Sequence, residues 1–122
     1  NQWDDVWQIA AELGHYVADT HQPLHLTLNY NGQLTGNNGI HSRYETSMIN
    51  SHLSELPLPT KSSTYWPNVI DSVFLYIDEI YPSVDSINAA DDLASAQDPN
   101  HGSTYYNILW QELEPLTTTS IH

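Results

Sequence analysis

Five side chains of the kinds that bind divalent metals fall within residues 15–45 of this chain: His15, Asp19, His25, His41 and Glu45. His15 and Asp19 are four positions apart, and so are His41 and Glu45. On a helix, residues at that spacing lie one above the other on the same face, so each pair can aim an imidazole and a carboxylate at one point. His25 stands between the pairs, just past Pro23, where a helix entering from His15 should already have ended. His25, His41 and Glu45 form a His-His-carboxylate set, the ligand type of several catalytic zinc sites, with a fourth position left for water. His15 and Asp19 supply two ligands, too few to hold zinc alone, although a carboxylate such as Asp19 can bridge two ions. The plainer reading of His15 and Asp19 is a helix-surface pair contributing about 0.2–0.5 kcal/mol.

Taken in order, His15-x-x-x-Asp19, Gln22-Pro23-Leu24-His25 and His41-x-x-x-Glu45 resemble the zinc-dependent phospholipase C family. The same order resembles the single-strand-specific zinc nucleases of fungi and plants, which share that fold. His21-Gln22-Pro23-Leu24-His25 is the more nuclease-like segment. Tyr44-Glu45 is the more phospholipase-like one, because the nucleases usually end this motif with Asp. The ligand pattern covers residues 15–45, and residues 105–116 are more loosely similar.

The resemblance implies an all-α, multi-helix bundle with a trinuclear zinc centre in the complete protein, and all five residues as metal ligands. It implies hydrolysis of a phosphodiester by a zinc-activated water, and a secreted or periplasmic protein. It further implies ligands upstream of His15: an N-terminal Trp, an early His, and an Asp and a His from earlier helices. Trp3 is not the first residue and no other His precedes His15, so those positions have no match here. The family also continues with a helix beyond His122. The expectation is therefore one helical zinc-binding domain over residues 1–122, truncated at both ends and lacking the N-terminal part of a larger catalytic domain.

Composition narrows the partners. There are 15 Asp and Glu against 2 Lys and Arg, a formal charge of -13. That repels polynucleotides and anionic membranes at long range, so no stable nucleic-acid complex is expected. Bound zinc would offset some of the charge locally. Cysteine is absent, so no disulfide supports the fold and redox compartment cannot be read. No apolar run is long enough to span a membrane.

The elements that must position the ligands follow from periodicity. Residues 3–20 read as a helix with Asp4 and Asp5 near its start, where the helix dipole favours acids. Trp3, Val6, Trp7, Ala10, Leu13 and Val17 recur at three and four, the spacing of a buried stripe. Gly14 costs a helix about 1 kcal/mol, which a close approach by a neighbour or a packing contact would explain. Residues 26–39 read as a loop with Asn31-Gly32 and Asn38-Gly39 turns. The alternation of Leu26, Leu28 and Tyr30 admits a small hairpin between His25 and His41. A second helix starts near Gly39 and runs to about Leu53, with Ile40, Tyr44, Met48 and Leu53 on its inner side. His52 lies too far along it to share a metal with His41, and reads as structural or exposed. Residues 54–64 form a Pro- and Ser-rich loop. Trp66-Pro67 opens a third helix to about Tyr81, with Ile70, Val73, Phe74, Ile77 and Ile80 as its stripe. A fourth covers residues 83–96, with Val84, Ile87, Ala90 and Leu93 inward. His101 sits in a turn and reads as solvated. A last helix covers residues 103–114, and Pro115 interrupts it.

Three functions are consistent with these residues. One is a zinc phosphodiesterase of the phospholipase C type acting on a phospholipid head group, favoured by Arg43-Tyr44-Glu45 and by the acidic charge. Another is a zinc nuclease acting on single strands, favoured by the residues 21–25 segment. The third is a non-catalytic, zinc-stabilised helical module, favoured by the incomplete ligand set. Tyr30 and Tyr44 are the candidates for substrate contact, a peripheral role in core packing being the favoured reading of both, and no residue is identified as the catalytic base. The isolated chain is expected to hold about one zinc tightly and to turn over neither substrate.

Overall fold

A computed structural model describes residues 1–56 and 65–121. Helix α1 spans Gln2–Asp19. Asn1 caps it: the Asn1 side-chain oxygen accepts from the Trp3 N–H at 2.8 Å, and Asp4 reaches back to the terminal ammonium at 2.7 Å. A 3-10 turn, Pro23–Leu26, follows, and then a run of turns to Gly39. Helix α2 covers residues 40–55 in four pieces. Ile40–Ser42 and Ile49–His52 are α-helical, Arg43–Met48 between them is π-helical, and Leu53–Glu55 closes as 3-10. Helix α3 is Val69–Ile80, α4 is Ser83–Gln97 and α5 is Ser103–Ile121. The described residues are helices and turns with no strand. None of the helices is long and apolar enough to cross a membrane.

The core lies between α2, α4, α5 and the 3-10 turn. Leu24, Ile40, Met48, Ile87, Ala94, Tyr105 and Leu109 are fully buried there. Burying each Leu, Ile or Met side chain is worth about 1.5–3 kcal/mol. Along α2 the buried residues are Ile40, Tyr44, Met48 and His52, a strict spacing of four. An ideal α-helix would turn such a row away by about 40° per step, since 3.6 residues make a turn. The wider π turn at Arg43–Met48 reduces that drift and keeps one side of α2 on the core.

The region between His25 and His41 is not a hairpin. Asn29 is the reason: its Oδ1 accepts from the Leu34 N–H at 2.7 Å and its amide donates to Thr35 Oγ1 at 3.0 Å. Gln33 donates to the Leu28 carbonyl at 2.6 Å. These side chains occupy groups that a strand ladder would have needed. Gly32 has φ of 72°, and a Cβ on it would lie 2.4 Å from the Asn37 carbonyl oxygen, so the turn requires glycine there.

Other departures have local causes. Helix α1 buries no residue, and its stripe of Trp3, Val6, Trp7, Ala10 and Leu13 is exposed, because no other described element covers it. Among the described residues nothing outside its own helix lies within 4 Å of a Cβ added at Gly14, so no packing contact there accounts for it. In α3, Ile70 and Phe74 are exposed, and Ile80 is the buried member of the expected stripe. That helix begins after Asn68, whose Oδ1 accepts from the Asp71 N–H at 3.3 Å, and not at Trp66-Pro67. Leu53 is exposed and His52 takes the inner place. In α4, Ala94 is buried and Leu93 is not. Pro115 does not interrupt α5, which runs through it to Ile121. Leu113 and Thr117 stay buried on either side, and the Tyr44 hydroxyl pairs with Thr117 Oγ1 at 3.3 Å, so packing holds the turn that proline weakens. Most of the loop expected over residues 54–64 lies outside the described residues.

Candidate metal centre

His25 is placed by the residues around it. Gln22 caps the 3-10 turn, accepting from the Leu24 N–H at 3.1 Å, and Pro23 starts it with its φ already set. Leu24 is buried in the core, which turns the next side chain, His25, outward beside α2. His41 and Glu45 come from α2, next to the buried row of Ile40 and Tyr44, so each is partly covered. Their side chains are 26% and 27% exposed, against 30% for His25.

The three converge. His25 Nε2 lies 3.0 Å from Glu45 Oε1 and 3.3 Å from His41 Nε2, and His41 Nε2 lies 2.6 Å from Glu45 Oε2. One ligand atom from each falls within 4.8 Å of the others, so His25, His41 and Glu45 can hold a metal ion. For comparison, tetrahedral ligands about 2.1 Å from a shared zinc stand about 3.4 Å apart. The donor set is two imidazoles and one carboxylate, and the separations of 2.6–3.3 Å would have to open to accept an ion.

The other two residues stand outside that group. Asp19 Oδ1 is 3.2 Å from His25 Nδ1. A carboxylate there accepts from Nδ1–H and leaves Nε2 bare toward His41 and Glu45, the arrangement that fixes the tautomer of a metal-binding histidine. Asp19 therefore meets His25 on the ring nitrogen away from the three-residue group. His15 Nε2 is 3.5 Å from Asp19 Oδ2, and its side chain is 72% exposed. His15, Asp19, His25, Glu45 and His41 thus form one chain of alternating imidazoles and carboxylates that narrows from solvent toward α2.

A cavity of about 600 Å³ opens beside this row. Tyr16, Leu26 and Tyr30 wall it, with Asp19, His25 and His41 at its polar side. The Tyr30 ring meets the His41 ring edge-on at 5.9 Å. Tyr44 is 4% exposed and its hydroxyl pairs with Thr117, so of its two readings core packing holds and substrate contact does not. Burial pushes its phenol up, with the nearby Glu45 charge adding to the shift.

The remaining histidines have other work. His21 Nδ1 lies 2.9 Å from the Val17 carbonyl, and its ring packs on Tyr76 of α3 at 4.4 Å. His52 stacks on Trp110 and pairs with Glu55 at 2.7 Å, a structural role. His101 is half-buried against Tyr105 and not simply solvated. Comparison with family models, curated proteins and solved structures finds no match for the chain.

Proposed function

We propose that this chain binds zinc through His25, His41 and Glu45, and that it does so as the metal-holding part of a phosphodiester hydrolase of the phospholipase C type. One observation carries the metal-binding part: ligand atoms of these three residues lie within 4.8 Å of one another. The hydrolase type rests on the resemblance carried by residues 15–45, as does a secreted or periplasmic location. Zinc, when bound, supplies a Lewis acid for a phosphoryl oxygen and lowers the pKa of water at the site. The chain's own residues divide the remaining tasks. Asp19 orients His25. Tyr16, Leu26 and Tyr30 offer an apolar and aromatic wall against which the non-polar part of an ester can pack. No described side chain is assigned as general base.

A phospholipid head group is the favoured substrate, because a charge of -13 opposes a polynucleotide. A single-stranded nucleic acid is the alternative, favoured by His21-Gln22-Pro23-Leu24-His25. A non-catalytic zinc-stabilised module is supported by the geometry of His15, which stands apart from the three-ligand group. Metal analysis after dialysis, paired with turnover of a phosphatidylcholine analogue and of single-stranded DNA, tests these readings. About one zinc per chain is expected, and no useful turnover by the isolated chain, because the three-ligand set holds one ion. Failure to retain zinc would remove the metal-binding reading. Robust phosphodiesterase activity would show that fewer ligands suffice than the resemblance implies.

A further inference from the structure

Arg43 is one of 2 basic residues in a chain with 15 acids, yet its side chain is only 12% exposed. It lies between His41 and Glu45 on α2, two positions from each. Two residues turn a helix by about 200°, so Arg43 faces away from the candidate centre. Every nitrogen of its guanidinium is engaged. Nε donates to Asp91 Oδ1 at 3.1 Å and to the Tyr105 hydroxyl at 2.9 Å. Nη2 donates to both Asp91 oxygens, at 2.8 and 2.9 Å, and to the Asn37 carbonyl at 3.2 Å. Nη1 donates to the Asn38 carbonyl at 2.7 Å. The Tyr105 hydroxyl also donates to Asp91, and the Asn37 amide reaches Asp91 Oδ2 at 2.9 Å. Burial works against the guanidinium charge, but the bonds to Asp91 and Tyr105 outweigh it and hold the pKa of Arg43 above its usual value.

This arrangement joins three segments: the loop at Asn37 and Asn38, α4 through Asp91, and α5 through Tyr105. It does so where α2 changes from α to π winding, which begins at Arg43. Gly39 leaves room for it, since a Cβ there would lie 2.9 Å from Nη1. A π turn is a rare departure from regular winding, and a planar fork gripped from three directions fixes the orientation of α2 where that departure begins.

We infer that Arg43, held by Asp91 and Tyr105, is a positioning residue that sets the rotation of the His41/Glu45 pair and thereby the metal affinity of the centre. The inference rests on the proposed metal-binding reading. Lysine cannot replace it, because an ammonium offers a point charge and no fork.

Zinc affinity by competition with a chelator, and amide hydrogen exchange of the zinc-free protein, test this in Arg43→Lys and Asp91→Asn. Ile87→Val, in the same core but with no polar side chain, is the control for lost stability. The two clamp variants should bind zinc about 10–100-fold more weakly, the range for partners that orient a metal ligand. Without zinc, their exchange should quicken over residues 39–46 while residues 109–113 stay protected. Ile87→Val should lower the melting temperature and leave zinc affinity within about threefold of wild type, a shift below 1 kcal/mol. Equal zinc affinity in Arg43→Lys and wild type overturns the inference, as does exchange that quickens evenly along the chain. If wild type itself holds no zinc, the metal-binding reading fails separately, and unchanged local exchange in the variants then overturns the clamp as well.

Discussion

Helices α1 and α5 are nearly equal in length, 18 and 19 residues, and each carries an apolar stripe. Helix α5 buries Tyr105, Leu109, Trp110 and Leu113, whereas α1 buries nothing. The stripe on α5 meets α4 on one side and α2 on another. Among the described residues the stripe on α1 stays exposed, and the contacts that tie α1 down lie near its end, where Asp19 meets His25 and, just beyond, His21 meets Tyr76. The five candidate ligands divide along the same line. His25, His41 and Glu45 stand on segments anchored in the core by Leu24, Ile40 and Tyr44, and they converge. His15 and Asp19 stand on α1, and they trail outward. Preorganisation of a ligand therefore follows the packing of the element that carries it.

The sharpest test of that division is a pair of truncations. Leu109→Ala, at a fully buried position, should cost about 2–5 kcal/mol in urea unfolding through lost burial and the cavity left behind. Leu13→Ala, at a position 55% exposed, should stay within about 0.5 kcal/mol of wild type. Similar losses at both sites would mean that α1 is packed in solution and would break the comparison.

The same division applies to metal. Glu45→Ala leaves two ligands in the group and should weaken zinc binding by more than about 100-fold, beyond the usual effect of an outer partner. Asp19→Ala removes the partner of His25 Nδ1 and should cost about 10-fold. His15→Ala and His101→Ala should change little. Competitive chelator titration measures all four. A loss at His15 as large as that at Glu45 would place α1 in the inner ligand set.

The helical class and the His41/Glu45 pair were legible because both depend on short-range spacing, whereas His25, 16 positions from His41, was reached through its place beside Pro23 and through the resemblance. His41 and Glu45 announce their shared face by being four apart, and Pro23 announces where α1 must end. The fate of the α1 stripe was not legible, because periodicity identifies an apolar face and says nothing of what covers it. The Asn29 and Gln33 bonds that replace a hairpin depend on loop closure, which alternation at Leu26, Leu28 and Tyr30 does not encode. The clamp was hidden for a related reason. Asp91 and Tyr105 are 48 and 62 positions from Arg43, and only the packing of α4 and α5 brings them to it. One signal was available: where cations are so scarce, the placement of Arg43 between two candidate ligands was worth asking about.

A smaller effect separates the packed region by pH. Burial, reinforced by Asp91, pushes the Tyr105 phenol up, and burial raises Tyr44 too. Both keep their protons in the folded chain after unfolded tyrosine, with a pKa of about 10, has lost its own. The folded state then binds more protons than the unfolded one, so this contribution is complete below pH 10 and is lost as pH rises beyond it. Tyr105→Phe should cost about 0.5–1.5 kcal/mol near neutrality through its lost hydrogen bonds. It should also make the stability curve above pH 10 shallower than that of wild type. Urea midpoints measured across that range would show an unchanged slope if Tyr105 is not protected.

The smallest change falls on α1. Gly14 lies inside that helix with nothing within 4 Å of an added Cβ and no left-handed φ to preserve. Alanine there should favour the helix by about 1 kcal/mol or less, because it restricts the unfolded backbone and clashes with nothing. Where that gain appears depends on whether α1 unfolds together with the core. A helix that buries no residue should open by itself, so Gly14→Ala should slow amide exchange over residues 10–18 and deepen the helical signal at 222 nm. The urea midpoint of the core should not move, because the core does not pass through α1 to unfold. A rise of that midpoint by the full increment would mean that α1 and the core melt as one unit. The contrast between α1 and α5 would then describe surface exposure alone, and His15 and Asp19 would be as firmly held as the three ligands on the packed side.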